Sequence, residues 1–364
     1  MPVELLAVRD LLPAIDVIRR ADRVDPLDDR RLRRLIAAGV WTRVAPGAFV
    51  RTAEWTSLTP LEQHRLRVIE RVRRLRAPAV VSHFAAASLW SIDVLGPWPT
   101  AIDLSRPPAG GGRSGGGLRR HPRDLSELAT VPFGEHRVTT PAQTAVDLAR
   151  LVPHIHGVAI VDQAIWTART GGPLTTRDEI LELWERESTH RSSARALRAI
   201  SSASTLAANV RESQSRIVIA RLGFPTPRLQ ERRVLRSGRL VFGDFYFPAH
   251  DHWCELDGRG KYRSPRFRSD LDPASLVIDE KNRENEIRRE VRGFSRWEPA
   301  DVDDPTRLYD ILTGDGLPSA LPRPRGGAAT PQPRRFPASA PKTNSADAGN
   351  QSARVTRRPG APTS

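Results

Sequence analysis

The segment RLVFGDFYFPAHDHWCELDG, residues 239–258, constrains the fold of this chain more strongly than any other. Residues 240–247 and 252–257 are rich in the aromatic and β-branched side chains that strands favour, and four residues separate them. A connection of that length joins the two strands of an antiparallel hairpin. The pattern therefore predicts a hairpin in which Phe247 pairs with His252.

Three carboxylates lie along this predicted hairpin. In the register that pairs Phe247 with His252, Asp244 lies directly opposite Glu255, and Asp257 shares the face of Glu255 because side chains alternate. Like charges opposite each other destabilise a strand pair, and a divalent cation that binds carboxylate oxygens relieves the repulsion. We therefore expect Asp244 and Glu255 to be ligands of Mg²⁺ or Mn²⁺, with Asp257 close by; the alternative is that Asp257 ends the strand and Asp244 is exposed. The other face is expected to join the core through Val241, Phe245, Phe247, Cys254 and Leu256.

A short basic helix followed by a hairpin is predicted near the N-terminus. Asp28 or Asp29 can cap the helix and Gly39 can end it, and the residues VWTRVAPGAFVR predict two strands that turn at Pro46-Gly47. This is the layout of a winged helix, whose helix enters the major groove of DNA. The alternative is an ordinary helix with a solvated arginine face. The candidate DNA-binding residues are the arginines on the polar side of the helix: Arg30, Arg31, Arg33 and Arg34.

The net charge of +15 makes an acidic polymer, DNA above all, the first partner to consider. A single cysteine, Cys254, excludes an internal disulfide and any cysteine-based zinc cluster. No apolar run approaches the roughly 20 residues of a membrane span, and the N-terminus lacks the apolar core of a signal peptide. We therefore expect no membrane partner and a cytoplasmic location.

Composition divides the chain into four segments. Residues 1–55 form the basic helical module, and residues 56–200 form an α/β middle region with a flexible Gly/Arg loop at 105–121. Residues 201–312 form a second compact unit with clear strand and helix signals. Residues 313–364 are rich in Pro, Ala, Ser and Arg and nearly lack large apolar side chains, which predicts a disordered basic tail.

The first half of the chain resembles a known family. RRLRRLIAAGVWTRVAPGAFV, at 30–50, resembles the N-terminal winged-helix domain of abortive-infection AbiEi-type antitoxins. The segments VVSHFAAASLW, VTTPAQTAVDLAR and VDQAI resemble the region that follows in actinobacterial relatives, so the similarity covers roughly residues 10–200. The resemblance implies DNA binding, often autoregulatory, and raises a cognate toxin as a second partner.

The last third resembles the Vsr-like branch of the PD-(D/E)XK nucleases over about residues 205–305. Five pieces match in order: RESQSR, LGFPTPRLQ, GDFYFP, CELDGRGKY and DEKNRENEIRREVRGFSRWEPADV. The resemblance implies a restriction-endonuclease-like mixed sheet flanked by helices. It also implies Asp244 and Glu255 as metal ligands, with Glu212 assisting from a helix before the sheet. The family motif places a lysine two residues after the glutamate, where this chain has Asp257; the remaining candidates for that positive charge are Lys261 and Lys281.

Together these features predict a multidomain α+β or α/β protein that acts on DNA. The first hypothesis is a metal-dependent endonuclease that hydrolyses DNA phosphodiesters and is guided by its winged helix. The second is a transcriptional regulator or antitoxin with a degenerate nuclease domain. The missing motif lysine favours the regulator, whereas the intact carboxylate cluster favours the nuclease.

Overall fold

A computed structural model describes residues 15–20, 27–108, 115–257 and 273–325 of the chain. Within these ranges the fold is α+β, with twelve α-helices and three β-sheets, which confirms the predicted fold class. No helix in them combines the length and apolarity that crossing a bilayer requires. Lys261 and the tail from residue 326 lie outside the described residues.

The N-terminal module has the predicted order of a helix followed by a hairpin. The hairpin turns at Pro46 and Gly47, and Gly47 has a φ of 70°, in the left-handed region that glycine adopts without steric cost. A short first strand pairs with the second strand of the hairpin, giving the sheet order β1-β3-β2. The elements are β1 (Ile18–Arg19), α1 (Leu27–Ala37), β2 (Trp41–Ala45), β3 (Ala48–Arg51) and α2 (Thr52–Ser57).

The middle region is a five-stranded mixed sheet covered by helices, with strand order β6-β5-β4-β8-β7. The predicted loop at 105–121 is too long: β5 extends to Arg106, and β6 begins at Leu118 and pairs with β5 in parallel. Backbone pairing and the burial of Leu118 order these ends despite their Gly- and Arg-rich context. The elements are α3 (Pro60–Val72), β4 (Val80–Val81), α4 (His83–Leu89), β5 (Ile102–Arg106), β6 (Leu118–Pro122), β7 (Thr130–Phe133), β8 (His136–Thr139), α5 (Pro141–Leu151), α6 (His154–Ile165), α7 (Arg177–Arg186) and α8 (Ser193–Ser201).

The C-terminal region is a four-stranded mixed sheet with order β12-β11-β10-β9, in which β11 and β12 are parallel and the other neighbours are antiparallel. Helix α9 contributes Ile217 and Val218 to the core on one face, and helix α10 contributes Ile287 to the other. The elements are α9 (Val210–Arg221), β9 (Arg228–Val234), β10 (Leu240–Phe247), β11 (His252–Leu256), α10 (Pro273–Arg288), β12 (Gly293–Trp297), α11 (Pro299–Asp303) and α12 (Pro305–Gly314).

One hydrophobic core joins the middle and C-terminal regions. It extends from Val68 in α3 to Leu317 beyond α12, and α6 packs against both α5 and α9 inside it. Gly157 lets α6 approach its neighbours, because an added Cβ would lie 3.1 Å from the Cβ of Ala199. Helix α6 is buried on nearly every side, which explains why its sequence is apolar all round.

The disordered tail predicted from residue 313 begins too early. Leu317 is buried in the core, and the backbone amide of Ala320 donates to the carbonyl of Gly223 at 2.9 Å. Arg323 forms an ion pair with Asp310 in α12. A single well-placed leucine therefore anchors a segment whose overall composition indicates disorder.

Candidate active site

The predicted β10–β11 hairpin is present in the predicted register. Phe247 pairs with His252, Tyr246 with Trp253 and Phe245 with Cys254. A single turn of 3₁₀ helix forms the connection, which ends at Asp251 with a φ of 45°. The Asp251 carboxylate accepts a hydrogen bond from the Tyr246 hydroxyl at 2.8 Å, which stabilises this left-handed conformation.

The two strands separate at Asp244. Pairing between β10 and β11 ends at Phe245, whereas β11 remains paired with β12 as far as Leu256. The backbone amide of Leu256 donates to the Asp244 carboxylate at 2.9 Å instead of to a carbonyl of β10. Asp244 therefore lies in a fork between the strands, one residue beyond their last pair, Phe245 with Cys254.

Glu212 reaches the same fork from the first turn of α9. Its carboxylate accepts hydrogen bonds from the Asn209 side chain and from the amide of Ala208. Gln230 of β9 then links two of the predicted residues: its side-chain nitrogen lies 3.1 Å from Glu212 Oε2 and 3.5 Å from Asp244 Oδ1. Sequence analysis missed Gln230, whose φ of 51° interrupts an otherwise regular strand.

Glu255 is buried and held by an arginine. Arg283 of α10 donates two hydrogen bonds to the two Glu255 oxygens, at 2.9 and 2.8 Å, and the Trp253 indole donates a third at 3.2 Å. Arg283 also pairs with Glu280, and its hydrogen bonds to Glu280 and Glu255 raise the pKa of the guanidinium. An arginine side chain therefore supplies positive charge to Glu255, the role for which the sequence predicts a divalent cation.

Asp257, at the position of the motif lysine, forms an ion pair with a different arginine. Its carboxylate lies 3.4 Å from the Arg296 guanidinium, which also contacts Glu284 at 2.6 Å. Strand β11 ends at Leu256, so Asp257 lies just past the strand. Lys281, one of the candidates for the charge of the motif lysine, is an exposed residue of α10. The cations that pair with Glu255 and Asp257 are Arg283 and Arg296.

The oxygen atoms around the fork suit a hard cation, but those of Glu255 already bind an arginine. Glu212, Gln230 and Asp244 offer carboxylate and amide oxygens, the ligands that Mg²⁺ prefers. Both oxygens of Glu255 are bound by Arg283. Over the described ranges, no group of three His, Cys, Asp or Glu side chains has the arrangement of a metal site. A cation shared by Asp244 and Glu255 would therefore have to displace Arg283.

The arginine face of α1 is exposed, as predicted. Leu32 on the other side is buried against Trp41 and Phe49 of the hairpin, so the helix rests on the sheet through its apolar face. Next to the turn of this hairpin, Arg74, just past the end of α3, lies so close that a Cβ at Gly47 would be 2.7 Å from its Nη1. The exposed residues on the outer face are Arg30, Arg31, Arg33 and Arg34.

No protein-family model matches the chain, and no curated protein matches it. A solved structure that aligns with it is the crystal structure of RV2827C protein from Mycobacterium tuberculosis. That alignment has 18% sequence identity and a TM-score of 0.31, and it covers 57% of this chain and 76% of the other. A score this low carries no argument about fold or function.

Proposed function

We propose that this protein is a DNA endonuclease whose active site is the fork between β10 and β11. The observation that carries the proposal is the meeting of three elements at one place: Glu212 from α9, Gln230 from β9 and Asp244 from β10 are linked through Gln230. Continuing the register by one pair beyond Phe245 and Cys254 would bring Glu255 opposite Asp244. Glu212 and Glu255 are buried, and buried carboxylates need compensating positive charge and cluster at functional sites.

A divalent ion, Mg²⁺ or Mn²⁺, held by Asp244 and Glu255 would activate water and stabilise charge on the phosphate. The chain's own residues have separate tasks. Glu212 and Gln230 hold the Asp244 carboxylate in place from the α9 side of the sheet. Arg283, once released from Glu255, would be a free cation, and its planar guanidinium could bind two phosphate oxygens at once. Asp257 stays paired with Arg296, and Lys261 remains a candidate for assisting the attacking water.

The N-terminal module would bring the site to DNA. Four exposed arginines on one helix would provide a basic face for a groove or for backbone phosphates. The hairpin that follows would contact the DNA backbone as the wing of a winged helix does. Positive charge of this kind makes binding salt-dependent.

A second candidate function rests on a specific observation, the ion pair between Arg283 and Glu255. If this pair is permanent, Glu255 cannot share a cation with Asp244. The protein would then be a DNA-binding regulator or an antitoxin whose nuclease domain has lost its activity.

Incubation of the purified protein with plasmid and single-stranded DNA, with Mg²⁺, with Mn²⁺ and with chelator, decides between the two. The nuclease proposal expects metal-dependent cleavage that is lost on Asp244→Asn, a variant that keeps an oxygen able to accept from the Leu256 amide. Salt-dependent DNA binding without cleavage, and no metal binding by calorimetry, would support the regulator.

A further inference from the structure

The distal half of the β9–β10 hairpin exposes three large apolar side chains that the carboxylate site does not use. Val234, Leu240 and Phe242 have 57%, 43% and 53% of their surface exposed. Leu240 pairs with Val234, and Phe242 pairs with Arg232. Because paired residues in a sheet share a face, these four side chains form one row, the outer stripe.

The hairpin that carries the outer stripe is firmly anchored on its other face. Leu235 and Val241 are buried there in a cluster with Trp253. The Ser237 hydroxyl in the turn donates to Glu286 of α10 at 2.7 Å. The exposure of the outer stripe is thus a property of a fixed hairpin, because the same strands bury their opposite side.

The charge around the outer stripe selects the kind of partner. Residues 228–242 contain five arginines and one acidic residue, Glu231. A second copy of this hairpin docked on the stripe would bring two basic surfaces together, which opposes association. A nucleic acid strand matches both the apolar side chains and the arginines, since its bases can cover the apolar side chains and its phosphates can pair with the arginines. Arg228, Arg232, Arg236 and Arg239 are exposed, whereas Arg233 lies on the opposite face, opposite Val241 and bound to Asp251.

The aromatic ring of Phe242 restricts the expected class of partner further, to nucleic acid with unpaired nucleotides. Phe242 can stack on the face of a base, a contact worth about 1–3 kcal/mol per base. In an intact duplex the base faces are stacked on one another and only their edges reach a protein. Phe242 precedes Asp244 by two residues, or about 7 Å along the strand.

We propose that the outer stripe binds single-stranded nucleic acid, with an unpaired base stacked on Phe242 and phosphates paired with Arg232 and its neighbours. A strand bound there passes the fork at Asp244. That the bound strand is also the one cleaved rests on the proposed nuclease function; the binding surface itself does not.

The test measures binding of the full chain to a fluorescent oligothymidylate of about 16 nucleotides, near the upper site size of a small single-strand binding fold. The same measurement uses a duplex of equal length, and chelator is present so that no cleavage occurs. Phe242→Ala is expected to weaken single-strand binding about 10-fold, the loss of about 1.4 kcal/mol of stacking. Phe242→Trp, which keeps an aromatic face, should retain wild-type affinity. Leu206→Ala, at another exposed leucine outside the hairpin, should change nothing.

Three results would overturn the proposal. Wild-type single-strand affinity in Phe242→Ala would show that the ring contacts no base. Equal losses for the duplex and the single strand would show that the contact is not selective for unpaired bases. A wild-type dimer in light scattering that dissociates on Phe242→Ala would show that the outer stripe is a self-association surface. Because binding is measured without metal, a protein that binds through Phe242 but never cleaves would refute only the nuclease proposal.

Discussion

Arg283 and Glu255 form a two-point ion pair, with guanidinium-to-carboxylate distances of 2.9 and 2.8 Å, at the place where the sequence predicts a metal ligand. Both side chains are largely shielded from water, at 19% and 8% exposure, so neither charge is well solvated alone. A metal ion bound by Glu255 would therefore compete with Arg283 for the same carboxylate. This competition leads to the first prediction.

Replacing Arg283 with Met should lower stability without metal and increase the response to metal. Removing one partner of a buried ion pair costs about 3–5 kcal/mol when the other charge is left unpaired. Mn²⁺ should then bind Glu255 more tightly and raise the melting temperature by ligand linkage, by more than in the wild type. Arg288→Met is the matched control, because Arg288 pairs with Glu284 on the same helix and is more exposed. Thermal unfolding with and without Mn²⁺ measures both effects; equal metal responses in the three proteins would show that Arg283 does not block a cation site.

Asp244→Asn and Glu255→Gln should both abolish metal-dependent cleavage but differ in stability. The amide oxygen introduced by Asp244→Asn can still accept from the Leu256 amide, so this variant should melt within a few degrees of the wild type. Glu255→Gln should melt lower, because it leaves Arg283 without a charged partner in a buried setting. Asp257→Ala should reduce activity no more than these two changes, and Lys261→Ala tests whether that lysine aids the attacking water. Cleavage that survives both Asp244→Asn and Glu255→Gln would place the active site elsewhere.

Replacing the four arginines of the α1 face with Ala should weaken duplex binding and flatten its salt dependence. Each lost phosphate contact reduces the slope of log K against log salt by about 0.9, so four contacts would reduce it by about 3–4. Cleavage of saturating substrate should persist, since the fork is unchanged. The control removes the same charge from four exposed arginines elsewhere: Arg186, Arg191, Arg198 and Arg289. Identical slopes for the two quadruple variants would mean that α1 has no special part in binding. The residues changed in the test protein are Arg30, Arg31, Arg33 and Arg34.

Leu317→Ala should destabilise the protein by about 2–4 kcal/mol, as expected for a leucine truncated within a packed core. Leu321→Ala, four residues later, should cost much less because that leucine is half exposed. Chemical denaturation measures the two free energies of unfolding. Equal small effects would mean that the segment after α12 does not pack on the core.

The contribution of Asp147 to the free energy of unfolding should fall as pH rises from about 4 to 6. Burial raises the pKa of this carboxyl to about 6, with Arg123 opposing the shift, so the folded state binds more protons than the unfolded state in that window. A shift of about two units corresponds to about 3 kcal/mol. Well above pH 6, Asp147 is ionised in both states and its cost is constant. The difference between wild type and Asp147→Asn in denaturation midpoints at pH 4 and pH 7 isolates this contribution; a difference independent of pH would contradict it.

The sequence by itself determined the register of the β10–β11 hairpin. The length of the connection and the alternation of side chains set that register locally, and a slip of one residue would turn Phe245 and Phe247 away from the core. The hairpin of the N-terminal module was predictable for the same reason, since a Pro-Gly turn acts within a few positions. The predicted start of the helix is wrong, because α1 begins at Leu27 and so contains Asp28 and Asp29, the expected capping residues. The loop at 105–121 and the start of the tail were misjudged, because composition does not reveal pairing with β5 or the buried site that Leu317 fills.

Only the tertiary structure decided what surrounds the carboxylates. The alternation of β11 fixes the face of Glu255, but its partner Arg283 lies 28 residues further along the chain. Gln230 reaches both Glu212 and Asp244 because β9 lies beside β10 and α9 packs across the sheet. The alternation of side chains along a strand and the length of a turn are local properties that can be read directly from a sequence. Which distant side chain satisfies a buried charge depends on how helices pack on the sheet, and burial selects that partner from many arginines that look alike in the sequence.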